Sequence, residues 1–230
     1  MIYVTGDTHG QFKKIKEFCK KFDTTIDDIM IILGDVGINY HGNSKDLNTK
    51  SYVKKLSITL FCIQGNHEMR PHHISSYKII DYMGGKAYQD EKYPNIIFAI
   101  DGEVYNFNGL KTVVCGGAYS VDKNYRIATG LKWFSDEQPN AEIKAKVENT
   151  LTENDWDIDI FLSHTCPLNY IPTEMFLSTI DQSTVDKSTE IWLQEIEDKL
   201  NYKAWYCGHY HTNKNIDKIH FLFEDIKELK

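Results

Sequence analysis

The chain has no apolar run near the roughly 18–20 residues that a membrane-spanning helix needs, so an embedded helical protein is not expected. Its five cysteines, Cys19, Cys62, Cys115, Cys166 and Cys207, are odd in number and never closer than 41 residues apart. That spacing argues against a disulfide framework or a zinc knuckle. Cys62, Cys115 and Cys207 fall inside apolar runs and read as small buried hydrophobes in a reducing compartment. The amino terminus, MIYVTGD, enters an apolar run at once, with no basic region, hydrophobic leader or small-residue cleavage site. A soluble, cytoplasmic protein is the expectation. Internal repeats, low-complexity tracts and Gly/Ser linkers are also missing, and residues 1–230 read as a single domain. Arginine is scarce, with only Arg70 and Arg126 among 26 basic residues.

Positive charge is short overall. The net charge of -7 divides into about +1 over residues 1–115 and about -8 over residues 116–230. Such a balance disfavours a generic polyanion partner, a long nucleic-acid duplex above all. The acidic excess over residues 136–160 lacks the fixed glycine of a calcium loop and reads as a solvated helix face.

What is abundant is apolar and aromatic material, at 41% and 13% of residues, ample for a packed core. The first half alternates strand and helix: strand 2–6, a helical pattern over 11–22, strand 29–33, a polar loop 39–50, then a helical stretch before strand 58–62. That order predicts a parallel sheet with helices outside it. From 86 to 118, short runs separated by Pro94-Asn95, Asp101-Gly102 and Asn108-Gly109 predict antiparallel hairpins. A helix over 140–151, strand 158–163, a long loop 165–187, helix 188–200, strand 203–207 and a hairpin near 214–223 complete the pattern. The fold class expected is α/β (α+β), two mixed β-sheets packed together with helices on both outer faces. Loops 39–50 and 165–187 exceed ordinary connections and are candidates for the rim of a site.

Five apolar runs end in metal-binding residue types: IYVTGD, IMIILGD, ITLFCIQGNH, DIFLSH and AWYCGHYH. Their polar tips are Asp7 and His9, Asp35, Asn66 and His67, His164, and His209 and His211. Loops at the carboxyl ends of strands are where open sheets place ligands. Alone, each such histidine is more simply structural. Five tips converging on one crevice would crowd imidazoles and carboxylates at a cost that only cations relieve.

The ordered set GDTHG, GDVG, GNHE, SH and GHYH resembles the calcineurin-like metallophosphoesterase family. The motifs run from residue 6 to residue 211. By this resemblance, Asp7, His9 and His211 hold one metal, Asn66, His164 and His209 hold the other, and Asp35 bridges them. His67 takes the place of the family's proton-donating histidine, and the fold is the family's four-layer sandwich. Imidazole, carboxylate and amide donors without thiolate suit manganese first, with iron, zinc or nickel as alternatives. Cys166, two residues beyond His164, reads as packing or as an outer neighbour of the metal ligands.

The resemblance has a gap. In the protein Ser/Thr phosphatase branch, the second motif continues to an Asp that orients the proton donor and an Arg that grips phosphate. Ile38 and Asn39 stand at those places here, leaving the partner of His67 open. Arg126 and Arg70 are the nearest substitutes for a phosphate-binding guanidinium. Tyr40, His41, Tyr119, Tyr125 and Tyr170 sit near the motifs as candidates for stacking on a base or aryl group. The expected function is hydrolysis of phosphomonoesters or phosphodiesters by a two-metal-activated water. A manganese-dependent nuclease and a catalytically silent interaction scaffold on the same fold are the alternatives.

Overall fold

The computed structural model describes residues 1–176 and 178–230; Leu177, inside the expected rim loop 165–187, lies outside them. The first apolar runs form β1 (Ile2–Thr5), β2 (Ile29–Ile32) and β3 (Thr59–Cys62), which pair in parallel because helices carry the crossovers. Those helices are α1 (Lys13–Phe22) and α2 (Ser44–Val53). β4 (Tyr77–Tyr82), β5 (Gly85–Asp90) and β6 (Ile96–Ala99) continue the sheet, β6 parallel to β3 and the other two antiparallel.

A second sheet is built from β7 (Val104–Phe107), β8 (Leu110–Cys115), β9 (Ile160–Ser163), β10 (Ala204–Cys207), β11 (Lys214–Ile216) and β12 (Ile219–Phe221). The chain ends in β13 (Ile226–Glu228), which returns to the edge of the first sheet with Tyr3 opposite Glu228. The two sheets therefore have seven and six strands, in the orders β13-β1-β2-β3-β6-β5-β4 and β11-β12-β10-β9-β8-β7.

Side-chain alternation fixes the layers. Ile29 and Ile31 face the second sheet, in a core with Phe61, Tyr105, Ile160 and Leu162. Met30 and Ile32, one residue out of phase, pack instead against Ile15 and Cys19 of α1 and Val53 of α2. On the far side, Phe161 and Trp205 stack with ring centres 4.1 Å apart beneath α4 (Ala141–Glu153) and α5 (Ser188–Glu197). The four-layer α/β sandwich expected from the sequence is the architecture observed. Among the described residues, no helix is long and apolar enough to cross a membrane.

Several expectations need correction. The loop 39–50 is half helix: Asn43 caps the Lys45 amide of α2, and Asp46 folds back to accept the amides of His41 and Gly42. Between β8 and the helix expected over 140–151, where no element was expected, the chain forms α3 (Lys123–Thr129), stopped by Gly130 at φ 72°. The Asp101-Gly102 turn makes no hairpin, because β6 and β7 lie in different sheets. Tyr105 secures that crossing, its hydroxyl donating to Lys86 O at 2.6 Å and accepting from the Ile100 amide at 2.9 Å. Strands β4 and β13 had no readable signal: β4 exposes Lys78, Ile79 and Asp81 at a sheet edge, and β13 is three half-buried residues.

Candidate metal centre

Every motif residue sits just past the carboxyl end of a parallel strand. Asp7 and His9 follow β1, Asp35 follows β2, Asn66 and His67 follow β3, His164 follows β9, and His209 and His211 follow β10. Both sheets thus contribute to one crevice. The turns are tight: His9, Asp35, His209 and His211 all hold positive φ, from 45° to 66°. For residues with a Cβ, such backbone costs on the order of 1–3 kcal/mol each and persists where the surroundings enforce it. Gly34 makes the close approach possible, since a Cβ there would lie 2.1 Å from His164 Nδ1. A Cβ on Gly208 would lie 2.3 Å from Asp7 Oδ1.

The donors converge in two groups that meet. The ligating atoms of Asp7, His9 and His211 lie within 4.8 Å of one another, as do those of Asp7, Asp35 and His164. His9 Nε2 and His211 Nε2 are 2.9 Å apart. His164 Nε2 is 2.8 Å from Asn66 Oδ1 and 3.7 Å from Asp35 Oδ1, and the His164 and His209 rings meet edge to face at 5.0 Å. His164 is turned by its other nitrogen, Nδ1, which lies 2.7 Å from Leu33 O. That bond leaves Nε2 facing the cluster, the second-layer arrangement common to metal-binding imidazoles.

These residues fit divalent ions on their own evidence. Asp7 is buried; its Oδ1 accepts the His209 amide, while Oδ2 has no hydrogen-bond partner although His211 Nε2 is only 3.3 Å away. Burial pushes the Asp7 carboxyl upward, but His211, His164 and His9 outweigh it and hold the group ionised. Burial and the neighbouring His164 push His209 down to about 3, leaving a neutral imidazole. An ionised carboxylate with a free oxygen beside the neutral His209 imidazole is a donor set for a cation. The thiols are elsewhere: all five cysteines are unpaired and buried, and Cys166 packs beneath the second sheet.

The outer residues divide. Glu68 accepts the amides of Val36 and Gly65, tying the Asp35 and Asn66 turns together, and burial raises its carboxyl to about 8. Asn66 Nδ2 donates to Ser120 Oγ at 2.8 Å, Ser120 Oγ donates to Glu137 Oε2 at 2.5 Å, and Trp133 Nε1 donates to the same oxygen at 2.7 Å. This chain leaves the Asn66 oxygen toward His164. Sequence reasoning missed it, because Ser120 lies 54 residues from Asn66 and carries no motif.

The two arginines have different fates. Arg126, on α3, reaches the cluster: its NH2 is 3.3 Å from His67 Nε2, its Nε is held by both oxygens of Asp122, and Tyr40 lies 3.3 Å from NH1. Arg70 is buried in an ion pair with Asp101 at 2.7 Å and donates to Asp136 O, and it lines none of the cavities beside the cluster. His67 Nε2 also lies 4.0 Å from Asp35 Oδ2, and burial, reinforced by Arg126, weakens its hold on a proton. Ile38 and Asn39 are both buried, Asn39 accepting from Tyr77 instead of facing the crevice.

Of the aromatic candidates, Tyr119 lines one cavity beside the cluster and Tyr40 and His41 line another. Tyr125 is exposed, and Tyr170 bonds Glu197. A further triad, His72, His73 and Asp136, lies near the surface, where Arg70 Nε is already 3.8 Å from the Asp136 carboxylate.

Among solved structures, a protein of Thermus thermophilus, TT1561, is 12% identical, with 90% of this chain and 80% of that one covered and a TM-score of 0.48. The phosphopantetheinyl hydrolase PptH from Mycobacterium tuberculosis is 15% identical, with 96% and 87% covered and a TM-score of 0.47. No curated protein sequence matches. The sequence profile described as calcineurin-like phosphoesterase matches residues 1–213, which takes in all five strand-end motifs. The chain therefore belongs to the calcineurin-like phosphoesterase family, hydrolases acting on phosphoester bonds.

Proposed function

We propose that this phosphoesterase hydrolyses phosphomonoesters or phosphodiesters at a binuclear centre held by Asp7, His9, Asp35, Asn66, His164, His209 and His211. The carrying observation is the buried, ionised Asp7 with an unpartnered oxygen, set where both sheets deliver their polar tips. Because each sheet supplies ligands, residues 1–230 act as one domain. Two divalent ions, manganese first in view of the nitrogen and oxygen donors, supply Lewis acidity and an acidified water when bound.

The protein's own groups do the rest. Arg126, pinned by Asp122, presents NH2 at the crevice edge and binds a phosphate oxygen there. His67, with its amide fixed on Asp35 Oδ1 at 2.8 Å, gives a proton from its ring to the leaving oxygen. The water's oxygen stays on phosphorus, the ester P–O bond breaks, and the alcohol departs protonated. Unpaired buried thiols throughout the chain support a reducing compartment, the cytoplasm.

The experiment is hydrolysis of 4-nitrophenyl phosphate and bis(4-nitrophenyl) phosphate by the purified protein with manganese, iron, nickel or zinc. Turnover of either ester with metal, lost on chelation and restored by metal, supports the reading. Absence of turnover with every metal refutes it.

A further inference from the structure

A cavity of about 350 Å³ opens directly off the cluster and shares Asp35, Asn66, His67, His209 and His211 with it. Its other walls have a different character. Ile171, Met175, Phe176, Ile180 and Val185, all from the segment 165–187, line it together with Tyr119 and Val121 from beyond β8. Met175 and Val121 are each 40% exposed, so large apolar side chains stand in water beside a highly polar centre. Apolar surface of that kind, continuous with a reacting centre, marks a place for an apolar ligand part.

One buried carboxylate interrupts these walls. Glu190, in the first turn of α5, lines the cavity and is only 4% exposed. Thr165 Oγ1, next in sequence to His164, donates to Glu190 Oε1 at 2.7 Å. The other oxygen, Oε2, has no partner among the described residues. A buried carboxylate oxygen is costly to leave without a donor.

We propose that the cavity seats the leaving group of the substrate, a mainly apolar alcohol carrying one further hydroxyl that hydrogen-bonds Glu190 Oε2. This proposal rests on the phosphoesterase reading above and names the substrate class for it. Hydrolysis breaks the ester P–O bond, the phosphate departs with the water's oxygen, and the alcohol takes one proton while its carbon skeleton lies against Ile180 and Phe176. The volume is at the lower end of ligand cavities, roughly 300–1,000 Å³, which suits one ring system or a short chain. A polyanion is a poor occupant, since Asp122, Asp186 and Glu190 outnumber Lys187 among the charged residues that line the outer cavity.

The test uses the full-length, manganese-loaded protein with n-alkyl phosphates and ω-hydroxyalkyl phosphates of about four to eight carbons, the span such a cavity holds. Glycerol 2-phosphate serves as the polar reference. The best alkyl phosphate is expected to exceed the reference in kcat/KM by about ten-fold or more, the worth of burying two methylenes. A terminal hydroxyl of the right reach is expected to add about ten-fold. Glu190→Met removes that second increment, and Glu190→Gln, which keeps an acceptor, retains part of it.

Binding of the corresponding alkanols and diols to the metal-free protein, followed by calorimetry, reads the cavity without catalysis. Ile180→Asp is expected to weaken that binding while its urea midpoint stays near wild type; should it unfold, Ile180→Ser replaces it. If chain length leaves kcat/KM unchanged and the alcohols do not bind, this proposal is overturned while the phosphoesterase stands. If no phosphate ester is hydrolysed with any metal, the phosphoesterase reading fails and this proposal with it.

Discussion

Ser120→Ala is the sharpest probe of how the centre is held, because Ser120 touches no proposed ligand except through the Asn66 amide. The substitution removes one oxygen that accepts from Asn66 Nδ2 at 2.8 Å and donates to Glu137 Oε2 at 2.5 Å. A neutral hydrogen bond contributes about 1 kcal/mol and one to a charged group about 1.5–3 kcal/mol. Glu137 keeps Trp133 Nε1 and the Ser120 amide, so it is not stripped of donors. The expected loss of unfolding free energy is therefore about 2–4 kcal/mol, and a domain with roughly 5–15 kcal/mol survives it at room temperature. The Asn66 amide nitrogen is left with only the His67 ring, 3.3 Å away, so the amide is held less firmly in its orientation. Loss of such an outer partner lowers metal affinity by about 10–100-fold.

Calorimetric titration of manganese into the metal-free protein reads this directly, and urea unfolding reads the stability. We expect weakening at one of two sites, since the other draws on Asp7, His9 and His211. Wild-type affinity at both sites, in a variant destabilised as expected, refutes the idea that Ser120 orients Asn66.

Three further outcomes follow from the same structure. Arg126→Ala is expected to raise KM for phosphate esters by about 10–100-fold, the worth of one charged hydrogen bond, with the urea midpoint nearly unchanged; unaltered steady-state kinetics refute its contact with substrate. Phe61→Ala, at the centre of the inter-sheet core against Tyr105 and Phe107, is expected to cost about 3–5 kcal/mol of stability by urea unfolding. Burial holds the Glu190 carboxyl above its usual 4.5, with Asp186 adding to the effect and Thr165 and Lys187 opposing it, so the folded metal-free protein keeps a proton that the unfolded chain gives up. That contribution is complete below the unfolded value and is lost as pH rises through the folded one, so Glu190→Gln should gain stability relative to wild type as pH rises above the usual carboxylate range; an unchanged difference contradicts the direction.

The strand-end motifs were legible because their chemistry is local. A buried strand needs four or five apolar residues, and the turn that ends it needs a glycine, so Gly34-Asp35 and Gly208-His209 declare both the element and its polar tip. The layer order followed from the alternation of strands and helices along the chain, while the split of Ile29 and Ile31 from Met30 and Ile32 appears only in the packed structure. Edge strands β4 and β13 escaped because a half-solvated edge imposes no apolar pattern, and α3 escaped because none of its residues is buried.

The chain by itself determined which residues stand at the strand ends, since propensity and turn chemistry act within a few positions. Tertiary structure alone decided what stands around them. Nothing local distinguishes Arg126 from Arg70, yet packing carries one to His67, 59 residues away in sequence, and buries the other against Asp101. The turn at Asp101-Gly102 reads as a hairpin until the two sheets separate around Tyr105. Likewise Glu190 and the 165–187 segment become a cavity wall only when α5 packs beneath the second sheet, because long-range contacts depend on the whole core and not on neighbours in the chain.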